Sequence, residues 1–146
     1  MENLTYELEV AGLKRDLELF PVSDDLMIAA FILFGDVELT VKCAAELIKK
    51  APEHDILVTA EAKSISLIHE MARQMGHNDY VVARKGPKVY MKNLLKVTVK
   101  SITTDHEQIL CIGEREKNMM EGRRVLIDDD VISTGESLEA IEELVK

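Results

Sequence analysis

The chain has 146 residues, which suits one domain with a real buried core. Its net charge of −9 argues against non-specific binding to nucleic acid or an anionic membrane, and no apolar run approaches the roughly 20 residues of a membrane span. Glu2, Glu7 and Glu9 stand where a signal peptide would be positive, and Cys43 and Cys111 read as reduced core thiols, so the expected location is the cytoplasm.

Residues 1–25 are acidic and mixed, with Pro21 and Ser23-Asp24-Asp25 marking loops. LMIAAFILFG, residues 26–35, is apolar throughout and fits a buried strand or an irregular apolar flap. Asp36 can cap a helix running to Lys50, with Val37, Ala44, Leu47 and Ile48 on one side and two lysines in its last turn. Ala51-Pro52 ends it. DILVTA is a short buried strand. Ser64 or Ser66 opens a second helix through Met75, which Gly76 stops. DYVVAR, LKVTVKSIT and EQILCI are further strands, the last two paired through Thr104-Asp105-His106. Glu114 to Glu121 reads as a short helix closed by Gly122, RVLID as a strand, and Gly135 to Lys146 as a helix. Strands alternating with helices predict an α/β fold with a mainly parallel, twisted sheet flanked by helices.

Such sheets bind ligands where strand ends lead into helix N-termini. The loop after VLID carries Asp128, Asp129 and Asp130, then Ser133, Thr134, Gly135, Glu136 and Ser137. Backbone N–H groups at a helix start, with hydroxyls and a glycine, make an anion cradle. Carboxylates just before it suit a vicinal diol, because each accepts two hydrogen bonds. A sugar phosphate such as ribose 5-phosphate would use both halves. The alternatives are a plain capped helix, with the acids favouring its positive end, or a bare Mg²⁺ or Ca²⁺ site, although the spacing matches no Ca²⁺ loop. The loop after ILVTA reads EAKSIS. The loop after YVVA opens a stretch, Val81 to Thr104, with six Lys or Arg and no acid. In so acidic a chain that reversal suits a polyphosphate, against the blander reading of a solvated basic face. His54, His69, His77 and His106 have no partner spacing, and Met119-Met120 read as core.

VLIDDDVISTGES resembles the phosphoribosyl-diphosphate motif of the type I phosphoribosyltransferases. EAKS and RKGPK resemble the matching segments of the adenine phosphoribosyltransferase-like members, and FILFGD their base-contacting segment, with Gly35 where they carry Arg. The resemblance covers residues 26–146. It implies one phosphoribosyltransferase domain over 1–146, with 1–35 as a small N-terminal hood and a C-terminal end that is short for the family. It implies that Asp129 and Asp130 hold the ribose 2- and 3-hydroxyls as the catalytic acids, while Ser133, Thr134, Gly135, Glu136 and Ser137 surround the 5-phosphate. Ala62-Lys63 would be the dipeptide, often cis in the family, that lines the diphosphate site with Arg84, Lys85 and Lys88. Leu33 and Phe34 would line the base pocket, and the segment from Lys88 to Thr104 would contain the closing loop. Mg²⁺ would be bound largely by substrate oxygens, with Asp129 and Asp130 as the protein oxygens open to it. Asp128 stands where relatives have an apolar residue, and Ser133 where some purine enzymes have an Asp beside the base. The implied activity is transfer of 5-phosphoribosyl to a nucleobase, a purine with adenine favoured, by a homodimer. The alternatives are a non-catalytic phosphoribosyl-diphosphate-binding regulator on the same fold and an α/β domain whose loop binds another sugar phosphate.

Overall fold

The computed structural model describes residues 4–99, 108–130 and 136–145. In chain order the elements are β1 (Thr5–Val10), β2 (Leu13–Ser23), β3 (Leu26–Ala29), α1 (Val37–Lys50), β4 (Ile56–Ala60) and α2 (Ile65–Met75). Then come β5 (Val81–Ala83), β6 (Leu95–Val99), β7 (Gln108–Ile112), α3 (Glu114–Met120), β8 (Val125–Ile127) and α4 (Glu136–Val145).

β4 lies between β5 and β8 in a parallel sheet, with Val58 opposite both Val81 and Ile127. Side chains alternate between the faces of a strand, so an unbroken apolar run is buried on both sides. Ile56 and Val58 accordingly join Val81, Ala83, Ile112, Ile141 and Leu144 in one core cluster. Leu57, between them, joins Leu33, Leu39, Ala44, Leu67, Ile68 and Met71 in the other. Helices α3 and α4 thus feed one face and α1 and α2 the other, the α/β arrangement expected from the sequence.

β6 and β7 pair antiparallel, and β7 joins the end of β5 by a bridge in which Arg84 and Cys111 exchange backbone hydrogen bonds of 2.9 and 2.8 Å. Among the described residues the parallel part of the sheet is three strands, with antiparallel pairing beyond β5. Cys43 and Cys111 are free and buried, and burial pushes both thiols up. No helix among the described residues is long and apolar enough to cross a membrane.

Two helix boundaries follow from local chemistry. Asp36 Oδ1 accepts from the Leu39 N–H at 3.1 Å and caps α1. Gly76 ends α2 at φ 75°, with the His77 N–H returning to the Ala72 carbonyl. The buried stripe of α1 is Leu39, Thr40, Cys43 and Ala44. Val37 and Leu47, expected to share that side, are exposed, standing before and after the packed stretch from Leu39 to Ala44 along the helix.

Residues 1–25 correct the sequence reading more substantially. The described part, from Leu4 on, contains β1 and β2, joined through Ala11 and Gly12, both at positive φ, as a tight two-residue hairpin requires. Pro21 lies inside β2, opposite Met27, rather than in a loop. β1 pairs with β2 only as far as Glu18, so the missing proline N–H breaks no ladder there. β3 completes an antiparallel sheet, order β1-β2-β3. It is exposed, not the buried strand allowed for LMIAAFILFG. The sheet docks through Val10, Ala11 and Leu13, which pack on the α1–α2 cluster, and through Arg15, whose guanidinium reaches Asp36 at 2.8 Å and Glu38 at 3.0 Å.

Candidate active site

Three loops leave the carboxyl ends of the adjacent strands β5, β4 and β8, and side chains of the middle one tie all three together. Ser64 opens α2, yet its hydroxyl does not cap the helix. It is 2% exposed and donates to Asp129 Oδ1 at 2.8 Å, with Asp130 Oδ1 at 3.3 Å. A hydroxyl has one hydrogen, so the shorter contact takes it. The same oxygen accepts from the Asp130 N–H at 3.0 Å, and Asp129 Oδ1 accepts from that N–H at 2.9 Å. Beneath them Thr59 Oγ1 donates to the Asp128 carbonyl at 2.6 Å, and the Asp128 N–H to the Val58 carbonyl at 3.0 Å. The aspartates are thereby pinned to the end of β4.

On the other side, Glu61 takes hold of the loop after β5. Its Oε1 accepts from the Lys85 N–H at 2.7 Å and its Oε2 from Arg84 Nε at 2.9 Å. The Lys85 N–H and the Arg84 guanidinium hold the Glu61 carboxyl below its ordinary range, and Glu61 in turn raises Arg84. The Tyr90 hydroxyl takes the far end of the guanidinium. The Glu61–Ala62 peptide is cis, one residue before the Ala62-Lys63 pair at which the resemblance puts such a bond. Ala62, Lys63 and Lys85 are exposed, and Lys88 is half-buried.

The acids are electrostatically loaded. Burial pushes Asp128 up to about 6, and the charges of Asp129 and Asp130 add to it. Among the described residues Asp128 Oδ2 is buried without a hydrogen-bond partner. Asp129 is also raised, first by burial and then by a hydrogen bond shared with Asp130, against the donation from Ser64.

The sequence-predicted residues divide accordingly. Asp129, Asp130, Ala62, Lys63, Arg84 and Lys85 lie in the three linked loops. Ser133, Thr134 and Gly135 fall outside the described residues, as does part of the segment expected to close over the site. Glu136 and Ser137 begin α4. Leu33 is 1% exposed, belongs to the core under α1, and its carbonyl accepts from the Thr40 hydroxyl at 2.9 Å. Its side chain is committed to packing and lines no open surface, whereas neighbouring Phe34 is 51% exposed. Residues that sequence reasoning missed are Glu61, Thr59 and Tyr90, together with the acid-binding role of Ser64. Only the polar character of Thr59 and Ser64 beside an apolar run was there to signal them. A concavity of about 770 Å³ between Tyr90–Lys92 and α3 contains neither Asp129, Asp130 nor Glu61.

Residues 37–146 match the model of the phosphoribosyl transferase domain. The chain belongs to this family. It is a phosphoribosyltransferase of the type I fold, in line with the resemblance carried by its three loops. Solved structures similar to this phosphoribosyltransferase include adenine phosphoribosyltransferase from Thermoanaerobacter pseudethanolicus, at 20% identity and TM-score 0.69 over 88% of this chain and 74% of that one. Adenine phosphoribosyltransferase from Saccharomyces cerevisiae, complexed with an imino-altritol bisphosphate and adenine, has 25% identity and TM-score 0.69 over 88% and 75%. An APRTase from Giardia lamblia complexed with 9-deazaadenine has 20% identity and TM-score 0.63 over 88% and 71%. No curated protein matches the chain by sequence.

Proposed function

We propose that this phosphoribosyltransferase moves the 5-phosphoribosyl group from phosphoribosyl diphosphate to a ring nitrogen of a purine, with adenine favoured, and releases pyrophosphate. The observation that carries the proposal is the Ser64 hydroxyl on Asp129, in a turn whose other end, Glu61, holds Arg84 and Lys85. Diol-binding acids and diphosphate-binding cations are thereby parts of one linked unit.

In the reaction the bond from the anomeric carbon to the diphosphate oxygen breaks and its electron pair leaves with the diphosphate. The base nitrogen supplies the pair for the new bond and gives up its proton. Positive charge develops on the ribose. Asp129 and Asp130 accept hydrogen bonds from its 2- and 3-hydroxyls and favour that charge. Lys63, Arg84, Lys85 and Lys88 receive the negative charge on the leaving group. Ser133, Thr134, Gly135, Glu136 and Ser137, with the N–H groups at the start of α4, receive the 5-phosphate. Phe34 offers a face to the base from the turn between β3 and α1, and the N-terminal sheet acts as the hood. Positioning and electrostatics account for the rate, with no covalent enzyme intermediate.

The donor set also fits Mg²⁺. Asp129 and Asp130 offer hard carboxylate oxygens, the ligand type Mg²⁺ takes when it is held largely by substrate oxygens. When bound, the ion would add positive charge beside the leaving diphosphate. A homodimer in the cytoplasm is the assembly and location that accompany this reading.

Adenine is favoured because two similar structures hold adenine or 9-deazaadenine. The experiment is pyrophosphate release from Mg²⁺, phosphoribosyl diphosphate and each of a panel of bases. Release with adenine above the other bases is the expected result. Release with no base, despite tight binding of phosphoribosyl diphosphate, would favour a sensing role and overturn the proposal.

A further inference from the structure

A polyphosphate site has no evident use for an acid among its cations, yet Glu61 sits there. Its carboxylate is not a bystander, because each oxygen has one donor: the Lys85 N–H on Oε1 and Arg84 Nε on Oε2. Nor is it needed to align the strands. The Glu61 N–H already bonds the Ala83 carbonyl at 3.0 Å, and the Arg84 backbone is pinned to Cys111 on β7. With both backbones held, what remains for Glu61 to set is the direction of one guanidinium and one peptide.

We propose that Glu61 is a positioning residue for the diphosphate, acting through Arg84 and Lys85 without touching the ligand. The inference rests on the proposed function and names a residue beyond it. Glu61 occupies the Nε edge of Arg84, and the Tyr90 hydroxyl occupies Nη1. A guanidinium is a rigid fork with five donors, so a fork held at two corners presents the others in a fixed direction. A free Arg would have to give up rotamer entropy when the ligand binds, and pre-orientation removes that cost. The negative charge of Glu61 is offset by Arg84 and Lys88 near it. The Glu61–Arg84 pair is partly exposed, with side chains 18% and 31% accessible, so its loss leaves the fold standing.

The test measures binding of three probes by wild-type protein and by E61A, E61Q, R84A and E61A/R84A. Phosphoribosyl diphosphate and pyrophosphate carry a diphosphate, and adenosine monophosphate does not. Wild-type protein is expected to bind all three. E61A should weaken both diphosphate probes about tenfold and leave the monophosphate unchanged. E61Q can still accept from the Lys85 N–H but turns an amide toward Arg84, so it should fall between. Because Glu61 acts through Arg84 as well as through the Lys85 peptide, E61A should weaken diphosphate binding less in the R84A background than in the wild type. Equal losses for all three probes, or losses from E61A and R84A that multiply in the double variant, would overturn the inference. Wild-type binding of the diphosphates with unchanged binding in E61A removes this inference alone. Wild-type protein that binds neither diphosphate removes the proposed function and this inference together.

Discussion

Ser64 and Asp129 meet across 65 residues of sequence, the serine hydroxyl donating to Asp129 Oδ1 at 2.8 Å from a fully buried position. Asp129 can rotate about its own side chain, and this contact fixes which oxygen faces inward. S64A should therefore weaken phosphoribosyl-diphosphate binding about tenfold, the usual scale of a hydrogen bond to a charged group. Equilibrium titration of the two proteins checks it, and equal affinity would show that Asp129 needs no such support.

Asp128 makes a stability prediction with a definite sign. Burial raises its folded pKa from 3.8 to about 6, so the folded state holds this proton more tightly than the unfolded chain does. Stability must then fall as pH rises through that interval and level off above it. D128N keeps the shape and removes the charge. It should be more stable than the wild type by roughly 3 kcal/mol at neutral pH, and nearly equal to it below pH 4. Denaturant unfolding at the two pH values measures the difference.

Leu33 and Phe34 are adjacent and should part company. L33A empties a core position and should cost about 2–5 kcal/mol of stability with little effect on the KM for the base. F34A should leave stability nearly unchanged and raise that KM about tenfold, since stacking of a base on an aromatic ring is of that order. Thermal unfolding and steady-state kinetics on both variants separate the roles.

Much of the fold was legible because it was local. The Asp36 cap, the Gly76 stop and the unbroken ILVTA run each carry their cause within a few residues. β1 and β2 were not read, although Tyr6, Leu8 and Val10 alternate with acids and Leu13, Leu17 and Leu19 continue the pattern. The high charge of that stretch and Pro21 resembled a loop. At the site, the carboxylates and the basic stretch stood out by composition. The links between them, Ser64 to Asp129 and Glu61 to Arg84, are contacts between distant segments, and nothing in either segment alone requires them. The burial of Leu33 was not legible, because an apolar residue reads the same in a sequence whether it lines a pocket or fills a core.

The most direct measurement is calorimetric titration of phosphoribosyl diphosphate, with Mg²⁺, into the wild-type protein and into D129N/D130N. The wild type should bind, and the double variant should lose at least about 100-fold in affinity, because two charge-assisted contacts to the ribose hydroxyls go together. Equal affinity in the two proteins would contradict the account, since the ribose would then be held somewhere other than the aspartates at the end of β8.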